Sequence, residues 1–386
     1  MSISQFENRL SQQALSLSGL VKRVTARQPS ELDAAFTQIE QAGKAGHWVA
    51  LLLAYELGEW LEPALLAPPT LPDAHPRLTA LMYERMTPST PWTLPDTVQP
   101  NDIVPGIINV TPSITYDQYI KNIEQIRDWI AQGEVYQINS TFPLEVVMQG
   151  PPELLYRHLA SKHPSAYSAY IEDENRTILS FSPELFLRKQ GNTLTTRPMK
   201  GTAPRSEDPT LDRQAGQALL HSEKDRAENL MIVDLLRNDL GRVAAPGSVR
   251  VDALFTLEQY PSVWTMTSTI HASMQSGASF RDILRALFPC GSVTGAPKIA
   301  AMKRIRQTEP YPRGLYCGSV GWMAPNGDFE LNVAIRTLVL DEKGHGRYHV
   351  GSGIVYDSVP SREWEECQWK ARILGPEKWI SKATLP

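Results

Sequence analysis

Strand-like segments in this chain cluster between helices instead of alternating strictly with them, and that arrangement narrows the fold more than any other feature. A helix is predicted from Thr115 as N-cap, with Gln118 three positions on to complete a capping box and Gly133 as terminator. Its apolar stripe is Ile120, Ile123, Ile126 and Ile130. Strand-like runs follow at residues 166–171, 177–181 and 193–196, then a long helix from about Ser222 to Leu240. Further strands are predicted at 318–323, 332–340 and 348–350, and a last helix begins near Ser361 and ends before Gly375. With no regular βαβ alternation, the pattern favours a mixed α+β domain over a doubly wound sheet.

Ahead of this unit the reading is sparser. Residues 32–42 read as a short helix, and 48–55 as a buried strand followed by Glu56, Leu57 and Gly58. Prolines are so frequent between Pro63 and Pro112 that a continuous helix or central strand is not expected there, and the stretch reads as a connector. The expected division is residues 1–112, an N-terminal region with this connector, and residues 113–386, a catalytic domain.

Composition excludes several function classes. With 42% hydrophobic and 21% charged residues the chain can form a large core, and its formal charge of −4, with both signs interspersed, gives no footprint for nucleic acid or an anionic membrane. Cys290, Cys317 and Cys367 are too scattered for a disulfide framework or a clustered zinc site. No signal peptide is evident after Met1, and the longest apolar run, 48–55, is far below the roughly 20 residues that span a bilayer. A cytoplasmic protein with neither nucleic-acid nor membrane partners is expected.

Two helices carry acids three positions apart, Asp225 with Glu228 and Glu363 with Glu366, so each pair projects from one helix face. Taken alone, either pair reads as solvated surface. Brought together, they would supply oxygen ligands for a hard cation such as Mg²⁺. The segment Gly291-Ser-Val-Thr-Gly-Ala-Pro-Lys298 lacks the spacing of a phosphate loop, because Pro297 stands before Lys298. Gly351-Ser352-Gly353 reads as a loop whose N–H groups can receive a carboxylate. Arg336 has the geometry for a bidentate carboxylate clamp.

These segments together resemble the chorismate-binding enzyme family over roughly residues 115–375. The segment Ser222 to Arg242 is similar to its signature helix, Gly351 to Glu366 to its other metal segment, and Pro289 to Lys298 to its Gly-Ser-Ile-Thr-Gly-Ala-Pro-Lys block. Pro198-Met199-Lys200-Gly201-Thr202 resembles the Pro-Ile-Lys-Gly-Thr motif of the aminodeoxychorismate synthase branch, whereas anthranilate synthases carry alanine at the lysine position. The resemblance implies an α+β fold of two orthogonal antiparallel β-sheets flanked by helices. It implies Mg²⁺ as cofactor, surrounded by Glu228, Glu363 and Glu366, with Asp225 acting through water. Lys200 becomes the nucleophile and Glu184 the general acid.

Substrate contacts are implied for Arg336, Tyr316, Gly351, Gly353, Ser292, Thr202 and Gln137. Gln137 occupies the place of the lysine base in water-adding members and cannot activate water, so amination is favoured. Thr265 stands where pyruvate-eliminating members have histidine. The implied partners are chorismate, ammonia and a separate glutamine amidotransferase subunit. Two alternatives stay open: an anthranilate synthase component I with an unusual lysine, and a non-catalytic paralogue that binds chorismate or a partner subunit.

Overall fold

A computed structural model describes residues 3–65, 75–95, 105–260 and 263–375. All strand pairings are antiparallel, and the strands link edge to edge into one hydrogen-bonded ribbon flanked by helices. The α+β class therefore holds, with the antiparallel sheet continuous from end to end.

The N-terminal strands occupy the middle of that ribbon. Ser4–Asn8 pairs on one side with Gln13–Ala26 and on the other with Tyr167–Asp173. Trp48–Leu53 lies between Leu78–Ser89 and Ser319–Met323. Its uninterrupted apolar sequence follows from burial on both faces. The two arms of the ribbon fold over one another: Asn332 Nδ2, on one arm, donates to Tyr167 O at 3.0 Å and Ser180 Oγ at 3.2 Å on the other. Phe6, Leu17, Leu52, Tyr83, Ile171 and Val320 fill an apolar cluster at this meeting of arms and N-terminal strands.

The proline-rich reading needs correcting at two places: Gly106–Pro112 is an edge strand paired with Gln137–Gln149, and the second departure lies earlier in the chain. Leu78–Ser89 is a strand that pairs with both Gln13–Ala26 and Trp48–Leu53, so it is central, not a connector. It forms because residues 77–87 contain no proline, and Pro88 falls near its end, where pairing continues on one side alone. Residues 66–74 and 96–104 of the expected connector lie outside the described residues.

The helix at Tyr116–Ala131 matches its sequence reading: Thr115 and Gln118 form the reciprocal capping box, and Gly133 adopts φ +75° just past the end. The long helix is Glu223–Gly241 with Ser222 as N-cap, and the last is Pro360–Lys370, continued by a 3₁₀ turn to Leu374.

Segments converging on the site are tied together by a buried ion pair, Arg313 with Glu309, whose side chains are 1% and 4% exposed. Arg313 also donates to Val293 O at 2.9 Å and Asn139 O at 2.6 Å, while Glu309 accepts from Thr141 N at 2.9 Å. The Arg313 backbone N–H donates to Glu56 Oε1 at 2.7 Å. Removing one partner strands the other charge in a low dielectric, so Arg313→Met and Glu309→Gln are each expected to lose about 3–5 kcal/mol. Urea unfolding of the two variants against wild type measures the loss.

Candidate active site

The lysine singled out from the sequence sits on a deformed strand. Met199 pairs with Thr267 but Thr202 pairs with Thr265, so one extra residue lies on the Met199–Pro204 strand, a β-bulge at Lys200 and Gly201. Gly201 has φ +87°, and a Cβ there would come within 3.1 Å of Asp225 Oδ1, so glycine is required on both counts. Thr265, fully buried, donates to Gly201 O at 3.1 Å and holds the bulge in place.

The bulge delivers the Lys200 ammonium to the first turns of the Glu223–Gly241 helix. Nζ lies 3.2 Å from Glu228 Oε2, and both side chains are largely shielded, at 17% and 18% exposure. On its other side are Gly353 and Gln137: a Cβ at position 353 would stand 2.7 Å from Lys200 Nζ and 2.9 Å from Gln137 Nε2. The Gln137 amide is buried with neither its oxygen nor its nitrogen hydrogen-bonded among the described residues. Such an orphaned amide is costly unless a ligand completes it.

Gly351–Gly353, expected as a loop, is strand. It lies within His345–Ile354, paired with Gln137–Gln149 from Gly351 against Thr141 to Gly353 against Asn139. Glycine is needed because a Cβ at 351 would meet Ser140 O at 2.4 Å and one at 353 would fill the Lys200 cleft. The glycines therefore record close approach, not a turn.

Glu184 is 4% exposed and accepts a hydrogen bond from Ser292 Oγ at 2.7 Å. Burial pushes its carboxyl up to about 7, against the lowering pull of Ser292, the Met199 backbone and the Lys200 and Lys370 ammonium groups. Ser292 thus touches the expected acid directly.

The four metal candidates have different surroundings. Glu363 is buried at 9% exposure and has no ion-pair partner among the described residues. Glu366 pairs with Lys370 at 2.7 Å. Partial burial pushes the Glu366 carboxyl up, but Lys370, with Lys200 and Lys224 farther off, holds it below the usual range. Asp225 accepts from its helix N-cap, Ser222 Oγ, at 2.5 Å, which restrains its carboxylate. Among the described residues no three such groups converge as a formed metal site. The donor chemistry nevertheless fits a hard divalent cation: these are oxygen donors, one of them buried without a counter-charge.

Arg336 adopts φ +51°, a strained conformation for a side chain of its size, in the turn before Thr337–Asp341. Its guanidinium is half-buried beside Tyr260 and Tyr348, with no carboxylate paired to it among the described residues. An unpaired, partly desolvated guanidinium suits a bidentate anion. Thr202 is exposed opposite Thr265, and Tyr316 is buried, stacked on His349 with ring centroids 5.1 Å apart. Thr202 adjoins the Lys200 bulge through its pairing with Thr265, whereas among the described residues no hydrogen bond or ring contact joins Tyr316 to Lys200. Lys298 is committed elsewhere, to Asp239 at 2.5 Å and Leu287 O at 2.8 Å.

Lys370, readable from its spacing as a salt-bridge neighbour of the acids, does more than that. It donates to Gly351 O and to Glu366 Oε1, each at 2.7 Å, and so fastens the last helix to the glycine strand. Its spacing from Glu366, one helical turn on, was the available signal.

A sequence model of chorismate binding enzymes matches residues 5–375, and the chain belongs to that family. It is 39% identical over 305 residues to aminodeoxychorismate synthase component 1 of Salmonella typhimurium, covering 79% of this chain and 64% of that protein. It is likewise 39% identical over 265 residues to anthranilate synthase component 1 of Streptomyces coelicolor, covering 68% and 52%. The chain thus spans between half and two thirds of the length of these relatives. Anthranilate synthase component I from Streptococcus pneumoniae superposes with TM-score 0.80 at 24% identity, covering 94% of this chain and 91% of that one. The menaquinone-specific isochorismate synthase from Escherichia coli gives 0.75 at 19%, covering 97% and 88%. At those identities the superpositions establish the fold. Among the described residues no helix is long and apolar enough to cross a membrane.

The Glu184 environment has a thermodynamic consequence. A carboxyl that titrates near 7 when folded and near 4.5 ordinarily prefers to be protonated in the folded chain. Its penalty is absent below pH 4.5 and accumulates as pH rises through 7, reaching about 3 kcal/mol. Glu184→Gln is expected to flatten the fall in urea midpoint between about pH 5 and pH 8. Ser292→Ala removes a bond that lowers this pKa, so the fall should begin at the same pH and extend to higher pH than in wild type.

Proposed function

We propose that the chain aminates chorismate at C4 to 4-amino-4-deoxychorismate, with ammonia supplied by a separate glutamine amidotransferase subunit. The observation that carries this reading is the Lys200 amine, projected by the bulge into a cleft bounded by Glu228, Gly353 and the orphaned Gln137 amide. A lysine bordering the cleft can serve as a nucleophile once it has lost its proton and left the carboxylate.

In this reading Lys200 Nζ, as the free amine, attacks ring carbon C2. Both ring double bonds shift, C1=C2 to C1=C6 and C5=C6 to C4=C5, and the C4 hydroxyl departs as water with a proton from Glu184, whose carboxyl burial pushes up to about 7. Ammonia then adds at C4 and gives up a proton that restores Glu184, both double bonds return, and the lysine leaves C2 and is regenerated. The enolpyruvyl group is untouched, so no pyruvate forms. Arg336 receives one substrate carboxylate as a two-point clamp. Mg²⁺, held by Glu228, Glu363 and Glu366 with Asp225 through water, would neutralise the ring carboxylate. Gln137 offers an amide to bind a hydroxyl or ammonia and no base for water.

Anthranilate formation is the second reading, supported by the equal identity to a Streptomyces coelicolor anthranilate synthase component 1. Mass analysis after incubation with chorismate, Mg²⁺ and ammonium separates the two: aminodeoxychorismate without pyruvate is expected, and anthranilate with stoichiometric pyruvate would overturn the first reading. Lys200→Ala is expected to slow amination by about 10²-fold or more and abolish any lysine-linked adduct. Unchanged rates and adducts in that variant would remove the covalent role.

A further inference from the structure

The carboxylate proposed to bind the cation is already neutralised by the amine proposed to attack the substrate. Lys200 Nζ lies 3.2 Å from Glu228 Oε2. Lys224 also approaches Glu228, but at 3.9 Å and from a side chain 63% exposed, where solvent screens it. On the facing helix Glu366 is paired with Lys370, while Glu363 has no ion-pair partner among the described residues. Among those residues no three acids, histidines or cysteines are arranged to hold a metal.

We propose that Lys200 and a divalent cation compete for the Glu228 carboxylate, so that the ammonium holds the cation's place and cation binding releases the lysine toward the substrate cleft. This inference rests on the cation reading above and deepens it. Its physical basis is repulsion: an ammonium and a divalent cation held against one carboxylate in a partly shielded site oppose one another more strongly than two unit charges would. One carboxylate edge cannot hold both cations without such a penalty. Nζ is not walled in at its present place: glycine at 353 keeps a Cβ from standing 2.7 Å from it, and the Gln137 amide beside that glycine has both its polar atoms unbonded among the described residues. Lys200 would then set cation affinity as well as reactivity, and the cation would bind before the amine is presented to the ring.

The test is binding of Mn²⁺, as a paramagnetic stand-in for Mg²⁺, followed by electron paramagnetic resonance on the full chain without chorismate. Lys200→Met is expected to tighten Mn²⁺ binding by about tenfold or more, because the competing charge is gone. Lys200→Arg, which keeps a cation, should stay near wild type. Lys224→Met should change affinity by less than about twofold, since its pair is exposed. Binding that Glu228→Gln weakens but Lys200→Met leaves unchanged would overturn the competition and leave the cation site standing. Equal tightening by Lys224→Met and Lys200→Met would also overturn it, in favour of a diffuse charge effect. Absence of Mn²⁺ binding in wild type and every variant would overturn both the competition and the cation reading.

Discussion

The Arg313–Glu309 pair is the constraint on which the rest of the site depends. It is a buried ion pair whose remaining hydrogen-bonding capacity is used on backbone groups. Through Asn139 and Thr141 it holds the strand that carries Gln137; through Val293 it holds the turn that carries Ser292. Glu56 caps the Arg313 segment from the N-terminal region, and the Arg313 guanidinium lies 4.5 Å over the Tyr55 ring. Segments distant in sequence therefore meet at one charge, and the cleft inherits their relative positions.

Around that frame the cleft is arranged by unequal pairing of charge. Lys200 has Glu228 and Lys370 has Glu366, but Arg336 has no described acid and Glu363 no described base. Paired groups report what the protein satisfies by itself; unpaired ones report what a ligand must bring. A substrate carrying carboxylates, together with a divalent cation, would answer both deficits. Glu184 is a third case, kept neutral by burial instead of being matched by a partner.

Local signals made part of this legible in the sequence. The Tyr116–Ala131 helix was readable because its cap, stripe and terminator are close in sequence, and the Glu223–Gly241 helix because Ser222 caps it. Lys200, Glu228 and Gly353 could be listed as candidates from their motifs, but not their juxtaposition, which depends on a bulge set by pairing with Val263–Ser273. The Glu184–Ser292 contact spans 108 positions and leaves no local trace. The Ser4–Asn8 strand was missed for a different reason: its Ser4, Gln5 and Glu7 are polar yet buried, satisfied by Tyr83, Ser16 and Tyr156, so it lacks the apolar alternation that marks a strand. Leu78–Ser89 was obscured by the prolines on either side of it, and Gly351–Gly353 by the usual association of glycine with turns.

The position of the N-terminal strands has a consequence for how the molecule is made. Trp48–Leu53, apolar throughout, leaves the ribosome long before Ser319–Met323, the strand that covers one of its edges, and Ser4–Asn8 waits likewise for Tyr167–Asp173. Until the later strands are synthesised, an apolar edge stands open to any other extended chain. Closure of the ribbon is a non-local event that must wait for strands far along the chain, and such long-range pairing is the kind that slows folding.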